Sequence, residues 1–427
     1  MGEGSKGRDD TERSRSSTYP HAMGTDRADL VVVGAGTVGA WAAVFAREAG
    51  AGRVVVLERG TIGGGASSRA AGIVRAQGGT AATVALGRWS IDFYRSQHER
   101  YGIDSGFREH GYLILAVSEE DERATRERIA MQRRLGLDVR WVDAREAAEL
   151  VPILSGDGFR GGSYVSTDGC IDPPRNVLAA AVAMRAVGVE LRERTAFTGL
   201  RTAAGSGGDG HLITVETSAG SIETEGLLLT GGPTLREVGR LAGVRIPVGG
   251  ARHTVCVSEP HEALAVERMP MVFDIGLGLY FRLEEDGLLF GYSDPDEAPG
   301  PARTIDWPYH ERMRERLASL APMTRGLALR KAWVATIDFT PDHLPILGPA
   351  LLADGTELAG VTVASAGGHG MMWGPGVARA AADLAISGST TLLDVAELGL
   401  GRFDEAGRSR LAADPIALPF PPAADAE

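Results

Sequence analysis

The sequence of 427 residues predicts an α/β fold, in which a discontinuous Rossmann-type domain carries an inserted domain of mainly antiparallel sheet plus helices. Residues 28–59 have the pattern of a strand, a glycine turn, a helix and a second strand, and further βα segments occur mid-chain and near the end. Between them, residues 248–259, 271–274, 278–283 and 287–293 have the pattern of short antiparallel strands.

The first βαβ unit predicts a dinucleotide site. Residues 30–33 form an apolar run, typical of a strand buried on both faces. In the G-A-G-T-V-G that follows, Gly34 permits a tight turn, Gly36 lets backbone approach a pyrophosphate, and Gly39 lets the helix pack close to the strand. Glu58 ends the second strand, where its carboxylate can accept hydrogen bonds from an adenosine ribose. The unit alone does not decide between FAD and NAD.

Composition excludes several classes of protein. Hydrophobic content is 44%, and no apolar run reaches the roughly 20 residues that span a bilayer. A net charge of -12 argues against nucleic acid and anionic membranes as partners. Cys170 and Cys256 are too few for a disulfide framework, which fits the cytoplasm. We find no Ser-His-Asp motif and no cluster of metal ligands, so no metal is expected.

The remaining elements follow from local signals. Helices are predicted at 82–101, 119–135, 143–149, 306–320 and 375–387, and one more runs to residue 186 after Asp172, with two prolines in its first turn. Further strands are predicted at 111–117, 189–201, 211–217, 226–230, 332–337 and 360–364, with a hairpin loop at 205–210. The glycine density of residues 60–80 indicates backbone lying close to a ligand.

The chain is therefore expected to divide into alternating parts. Within the first part, either Met1 or Met23 can be the residue at which translation naturally starts. The expected parts are a disordered tail (1–27), the nucleotide-binding domain (28–107, 160–243 and 334–390), the substrate domain (108–159 and 244–333) and a C-terminal extension (391–427).

Six segments, in order between residues 31 and 386, resemble the D-amino acid oxidase family of FAD-dependent oxidoreductases, most of all its sarcosine oxidase beta subunit and glycine oxidase branch. They are GAGTVGAWAAVFAREAG, GASSRAAGIVR, LLLTGGP, GLYFR, DFTPDHLPILGP and AGGHGMMWGPGVARAAADL. The resemblance implies FAD as cofactor. It also implies oxidation of the C–N bond of an amino acid, or of a secondary or N-methylated amine, to an imine.

The resemblance also implies which residues bind the cofactor. A helix starting near Met371 would aim its N-terminus at the flavin and stabilise the negative charge of its reduced form. Arg59 can instead be a solvated arginine, and Phe197 a plain core residue. The residues implied at the ADP half are Gly34, Gly36, Thr37, Val38, Gly39, Glu58 and Arg59, with Phe197 at adenine. Those implied at the pyrophosphate and the flavin edge are Ala66, Ser67, Ser68, Arg69, Ala71 and Gly72, and Gly231 and Gly232 would close on the cofactor. Those implied along the flavin ring are Gly367, Gly368, His369, Gly370, Met371 and Met372.

Four residues are implied at the substrate. Arg75 matches an arginine that grips a substrate carboxylate, for which a planar guanidinium is suited; the alternative is an arginine that braces a loop. Tyr280 and Arg282 match a Tyr and Arg pair near the substrate, unless their strand face points outward. His369 can line the substrate side of the flavin or be held by local hydrogen bonds.

Departures from the family pattern matter too. Trp333 replaces the cysteine that binds flavin covalently, so non-covalent FAD is expected, and Ala335 replaces a nearby tyrosine. Met372 and Leu289 replace lysines, and Ser293 replaces a histidine. We therefore expect a substrate larger or more apolar than sarcosine.

The electron acceptor is left open between O2 and an electron-accepting partner. The alternatives to an oxidase are a dehydrogenase subunit passing electrons to a partner protein or quinone, and a structural flavin-binding subunit of a complex.

Overall fold

The structure is a computed structural model, which describes Met1 and residues 26–204, 211–302 and 304–418. The predicted tail (1–27) and hairpin loop (205–210) lie almost entirely outside these ranges. Its helices are α1 (Thr37–Glu48), α2 (Ala81–Tyr101), α3 (Glu119–Arg134), α4 (Ala144–Leu150), α5 (Pro173–Ala186), α6 (Leu235–Leu241), α7 (Trp307–Leu320) and α8 (Gly374–Ser387).

The strands run from the first βαβ unit to the segment before α8. They are β1 (Arg27–Val33), β2 (Val54–Leu57), β3 (Ile73–Val74), β4 (Tyr112–Ala116), β5 (Arg140–Asp143), β6 (Gly161–Val165), β7 (Gly169–Cys170), β8 (Glu190–Arg192), β9 (Phe197–Ala204), β10 (His211–Thr217), β11 (Gly220–Leu229), β12 (Gly249–Ser258), β13 (Met271–Asp274), β14 (Leu279–Glu284), β15 (Gly287–Tyr292), β16 (Leu329–Phe339), β17 (Ile346–Leu351) and β18 (Glu357–Ser365).

The first sheet has a parallel centre in the order β18-β11-β1-β2-β8, with antiparallel strands β17 and β9–β10 attached. Its central strands are apolar on both faces, because α1 and α8 cover one face and β9, β10 and α6 pack near the other. Strands β1, β2, β11 and β18 end side by side, just before Gly34, Glu58, Thr230 and Ala366. Such an edge is where ligands of open parallel sheets bind.

The second sheet has the order β16-β12-β15-β14-β13-β4-β6-β5 and is antiparallel except for the pair β13 and β4. With the first sheet, it confirms the predicted fold class. Strand β6 belongs here, although the predicted boundary at residue 160 assigns it to the nucleotide-binding part. It pairs with β4 and β5 through residues 161–165, a register that local pattern does not reveal.

Other differences from the predicted elements have local causes. The strand predicted over 189–201 is two strands, because Arg194 has a positive φ of 52° and breaks the extended run. Strand β17 and helix α6 have no counterpart among the predicted elements. Helix α8 (Gly374–Ser387) matches the helix predicted over 375–387, with Pro375 in its first turn. It does not start near Met371, because residues 370–373 form turns.

Within the described ranges, no helix combines the length and apolarity needed to cross a membrane. The same residues contain no group of three or more His, Cys, Asp or Glu side chains that could hold a metal ion.

Candidate active site

A cavity of about 570 Å³ lies between the ends of the parallel strands and the second sheet. Its size is that of a typical small-molecule site. One end is lined by the glycine turn after β1 and by Glu58, and the other by Arg75, Tyr112, His253 and Tyr280. We call these the nucleotide end and the substrate end.

Backbone geometry builds the nucleotide end. Gly34 has φ of +96°, which a side chain would strain. A Cβ on Gly39 would lie 1.9 Å from the Gly34 carbonyl oxygen, so only glycine lets α1 approach β1 this closely. Helix α1 begins after Gly36 with no side-chain cap and no acidic residue in its first turn. The positive end of its dipole therefore faces the cavity.

Two polar side chains fix the shape of this turn. The Glu58 carboxylate accepts the backbone N–H of Ala35 at 3.0 Å and that of Gly60 at 2.7 Å. Ser67 Oγ accepts the Thr37 N–H at 2.9 Å and lies 3.1 Å from Thr37 Oγ1. The first contact joins β2 to the turn, and the second joins the loop after β2 to the start of α1.

Most of the predicted cofactor residues line this cavity, but three of them do not. Ser68, Arg69 and Gly367 are absent from its described lining. Arg69 is exposed, and its Nη1 donates to the Gly65 carbonyl at 2.7 Å, so its side chain closes its own loop. The predicted residues that do line the cavity are Gly34, Gly36, Thr37, Val38, Gly39, Glu58, Arg59, Ala66, Ser67, Ala71, Gly72, Phe197, Gly231, Gly232, Gly368, His369, Gly370, Met371 and Met372.

Asp338 also lines the cavity, although the sequence analysis assigns no role to it. It lies near the end of β16, and its Oδ2 accepts the Ser365 hydroxyl at 2.8 Å. Burial raises the pKa of this carboxyl. Its position depends on the pairing of β16 with β12, which joins segments about eighty residues apart in sequence.

His369 lies in the turn before α8 and lines the cavity. Its Nδ1 donates to the Gly367 carbonyl at 3.0 Å, and its ring contacts that of Trp373, with centroids 4.1 Å apart. Burial and the nearby Arg75 cation lower the pKa of His369 to about 3, so the ring is neutral. With Nδ1 protonated, Nε2 is an acceptor.

Tyr280 and His253 form a buried pair across the second sheet. Tyr280 Oη hydrogen-bonds His253 Nε2, and His253 Nδ1 lies 2.8 Å from Ser293 Oγ. Strand β15 runs between their strands β14 and β12, and a Cβ on its Gly291 would lie 2.1 Å from Tyr280 Oη. Glycine at this position therefore lets the tyrosine reach across. Burial lowers the pKa of His253 to about 4 and raises that of Tyr280.

His253 is a site residue that the sequence analysis missed. The signal that could have found it is a histidine within an otherwise apolar predicted strand, facing a strand that carries a glycine.

Arg75 is almost fully buried, with 2% of its surface exposed, yet it lines the cavity. Its Nη1 donates to the Gln77 carbonyl at 2.6 Å and its Nη2 to the Ile416 carbonyl at 2.7 Å. Its Nε has no partner among the described residues, and its guanidinium carbon lies 5.7 Å from the centroid of the Tyr112 ring. Both of its hydrogen bonds go to neutral carbonyls. The buried carboxyl groups of Asp168 and Asp414 lie close enough for the Arg75 charge to oppose the rise in pKa that burial causes in both. An anion in the cavity would add a partner to these two.

Arg282 is not among the described lining residues of the cavity, and its role at the substrate stays a prediction. It shares a strand face with Tyr280, but its Nε donates to the Ala71 carbonyl at 3.0 Å and its Nη1 contacts Glu284 at 2.6 Å. The cause is the acid two positions along the strand. Arg282 thus braces the loop that carries Ala71.

The nucleotide end has what the ADP half of a flavin dinucleotide requires. A glycine-lined turn, an uncapped helix start and a carboxylate after the second strand lie on one wall of one cavity. Trp333, at the expected place of a covalent cysteine, donates its Nε1–H to the Arg69 carbonyl at 2.9 Å. Neither Cys170 nor Cys256 is among the described lining residues.

Comparison with known proteins gives a family match over residues 29–384, to the model described as FAD dependent oxidoreductase (DAO). The chain is 27% identical, over 84% of its length, to 4-methylaminobutanoate oxidase (formaldehyde-forming) of Paenarthrobacter nicotinovorans, and covers 44% of that protein. It is also 27% identical to sarcosine oxidase subunit beta of Rhodobacter capsulatus, with 89% of each chain covered.

Among solved structures, L-proline dehydrogenase from P. horikoshii superposes with a TM-score of 0.81 at 26% identity, covering 90% of this chain and all of that one. The chain spans less than half the length of the first curated relatives that it matches. The family match confirms the resemblance seen in the sequence.

Proposed function

The chain belongs to the family of FAD-dependent oxidoreductases, and on that premise we propose that it oxidises the C–N bond of an amino acid or N-methylated amino acid to an imine. The observation that carries this proposal is Arg75, a buried guanidinium that lines the same cavity as the Tyr280–His253 pair. A cation can hold the carboxylate of such a substrate while the pair faces its amine.

The cofactor would be bound non-covalently by the nucleotide end. When bound, FAD accepts the hydride equivalents removed from the substrate. The glycine turn and the start of α1 would bind its pyrophosphate, and Glu58 its ribose. The turn that carries His369, Gly370 and Met372 would lie against the flavin.

Arg75 would bind the substrate carboxylate through its planar guanidinium. The site around it is buried and largely apolar, so water weakens this attraction little. This fixes the orientation of the α-carbon, which is the main contribution that a protein makes to chemistry carried by a cofactor.

Tyr280 Oη would accept a hydrogen bond from the substrate nitrogen, which must be a neutral amine before it can give an imine. Burial keeps His253 neutral near pH 7, with Nε2 facing Tyr280 Oη and Nδ1 facing Ser293. A pocket that keeps His253 uncharged also favours the neutral amine over the ammonium ion, which would lose its proton to solvent before binding. Ser293, which replaces a histidine of the family pattern, thus contacts His253 on strand β12.

The walls of the substrate end favour a substrate with an apolar part. Leu289 is buried with Tyr112, Tyr280, Phe273 and Ile416 in one cluster. None of these side chains carries a charge. We therefore propose an amino acid larger or more apolar than sarcosine.

The test is an anaerobic screen of amino acids and N-methyl amino acids against the purified yellow protein. Loss of the oxidised flavin absorbance on mixing, with an aldehyde or keto acid formed after imine hydrolysis, is the expected result. If no amine bleaches a flavin that dithionite does reduce, the activity is wrong and a structural flavin-binding subunit is the better description.

The same reduced protein identifies the electron acceptor. Reoxidation by O2 marks an oxidase, whereas reduction of a dye or quinone with little oxygen consumption marks a dehydrogenase that serves a partner. We also propose a cytoplasmic location, which the unpaired, buried Cys170 and Cys256 support.

A further inference from the structure

Residues 411–418, which we call the strap, pack against the substrate end of the cavity. Ile416 is fully buried in the cluster that contains Tyr112, Tyr280 and Leu289. Leu418 packs on that cluster and on a neighbouring one built around Ile337. Ile416 and Leu418 both line the cavity. Local pattern predicts only an extended segment here, so this wall is a finding of the structure.

The strap is held by the turn that follows β16. The Asp414 N–H donates to the Asp342 carbonyl at 2.9 Å, and the Ile416 N–H donates to Asp414 Oδ1 at 3.0 Å. The Asp342 carboxylate is itself paired with Arg402 at 2.7 Å, and both side chains are buried. A buried pair of this kind is costly to break, which favours one fixed position for the turn.

A glycine makes room for the strap. A Cβ on Gly79 would lie 2.2 Å from Asp414 Oδ1 and 2.7 Å from Pro415 Cδ. Gly79 is not at positive φ, so alanine would strain no backbone there and would clash with the strap. Gly79 is also absent from the described lining of the cavity. Its replacement therefore acts on the strap without touching a bound molecule.

Arg75 connects the strap to the substrate end, because its Nη2 donates to the Ile416 carbonyl at 2.7 Å. One guanidinium thus holds the strap from one side and faces the cavity from the other. The distance from Arg75 to the Ile416 side chain would set how much apolar chain fits beyond a bound carboxylate.

We propose that the strap is the specificity-determining wall of the substrate end, and that Ile416 contacts the apolar part of the substrate. The proposal rests on the proposed function, since it takes Arg75 as the carboxylate anchor. It adds that substrate chain length is selected by a segment far from the dinucleotide motif and from the strands of the second sheet.

The test uses the holoprotein and straight-chain carboxylates from acetate to hexanoate, with binding followed by the change in flavin absorbance. In the wild type, affinity should rise about fourfold per methylene until the chain meets Ile416, and then fall. Ile416→Ala should move the optimum to a chain about two methylenes longer, since truncation opens space of roughly that size. Gly79→Ala should displace the strap and flatten the dependence to less than about twofold per methylene.

Two matched variants serve as controls. Ile222 is equally buried but does not line the cavity, and no atom lies within 4 Å of the position that a Cβ on Gly300 would take. Ile222→Ala and Gly300→Ala should leave the optimum unchanged. If the optimum chain length is the same in Ile416→Ala as in Ile222→Ala, the proposal is overturned.

Amide hydrogen exchange separates failure of the strap from failure of the proposed function. Asp414 and Ile416 amides should be protected in the wild type and lose protection by about tenfold or more in Gly79→Ala. If no carboxylate binds, the anchoring role of Arg75 is wrong, and the same series is repeated with neutral primary carboxamides. If the optimum chain length of the carboxamides shifts in Ile416→Ala, the role of the strap is supported. If it does not shift, or if the Asp414 and Ile416 amides of the wild type are unprotected, that role is rejected.

Discussion

The two ends of the cavity are built in different ways. At the nucleotide end, glycine turns and backbone N–H groups shape the cavity, and the turn, Glu58 and Ser67 all lie within residues 34–67. At the substrate end, side chains from five segments meet, and they belong to the loop after β3, to β4, β12 and β14, and to the strap. The first end depends on local conformation, whereas the second depends on strand pairing and on packing.

This difference teaches where substitutions will be tolerated. A backbone cradle fails when a side chain is added to it, since nothing in the turn can move aside. A side-chain site loses only the contact that was removed, provided that its neighbours stay in place. Three variants test this contrast, from the largest expected effect to the smallest.

Gly36→Val should abolish flavin binding while leaving the protein soluble. A Cβ at this position already lies 3.2 Å from Ser67 Oγ, and the branches of valine would project from it into the turn and the cavity. Flavin content per chain, from absorbance after purification, gives the result. Gly300→Ala is the control, because no atom lies within 4 Å of its added carbon and Gly300 is not among the described lining residues of the cavity. Normal flavin content in Gly36→Val would show that the glycine turn tolerates a side chain, which contradicts the account of the nucleotide end.

Tyr280→Phe should keep its flavin and slow flavin reduction by the substrate about 100-fold, the usual scale for a reacting group that is no longer held in place. The ring still fills its buried position, but His253 loses its partner on the cavity side. Stopped-flow reduction measures the rate. Tyr309→Phe removes a hydroxyl that donates to the Ser293 carbonyl outside the described lining of the cavity, and should change the rate by less than about threefold.

Acid should weaken the substrate end through His253. Its pKa is lowered to about 4 by burial, below the value near 6.5 of an unfolded chain. The neutral ring therefore contributes stability above pH 6.5 that is lost as pH falls to 4, by about 3 kcal/mol. Urea unfolding between about pH 7 and 4 should show a steeper loss in the wild type than in His253→Gln. Burial raises the pKa of Asp168 to about 6, so this carboxyl adds stability as the pH falls. It does so equally in the wild type and in His253→Gln.

The two ends of the cavity differ in how far their geometry can be predicted from the sequence, for the same structural reason. The turn at Gly34 and Gly39 follows from spacing along one segment, so its geometry could be predicted. His253 could not be assigned, because its partner Tyr280 lies two strands away and is admitted only by Gly291 on the strand between. The partner of Arg282 could not be predicted from the strand pattern either, because Glu284 binds it from two positions along the same strand.

The strap shows the limit most clearly. Nothing in residues 411–418 has a helical or strand pattern, so the sequence indicates only an extended segment. Its place is set by Gly79 and by the Asp342–Arg402 pair, which are far apart in the chain. Such a contact follows from packing rather than from local preference.

The central claim is that the substrate end recognises a carboxylate through Arg75. The most direct measurement compares the binding of an active amino acid and its carboxamide, on the wild type and on Arg75→Ala, by anaerobic titration. A charge-assisted, two-pronged contact is worth about 1.5–3 kcal/mol, so the wild type should prefer the acid by roughly 10- to 100-fold. Arg75→Ala should lose that preference and Arg75→Lys should recover only part of it. An equal preference for the acid in wild type and Arg75→Ala would contradict the account.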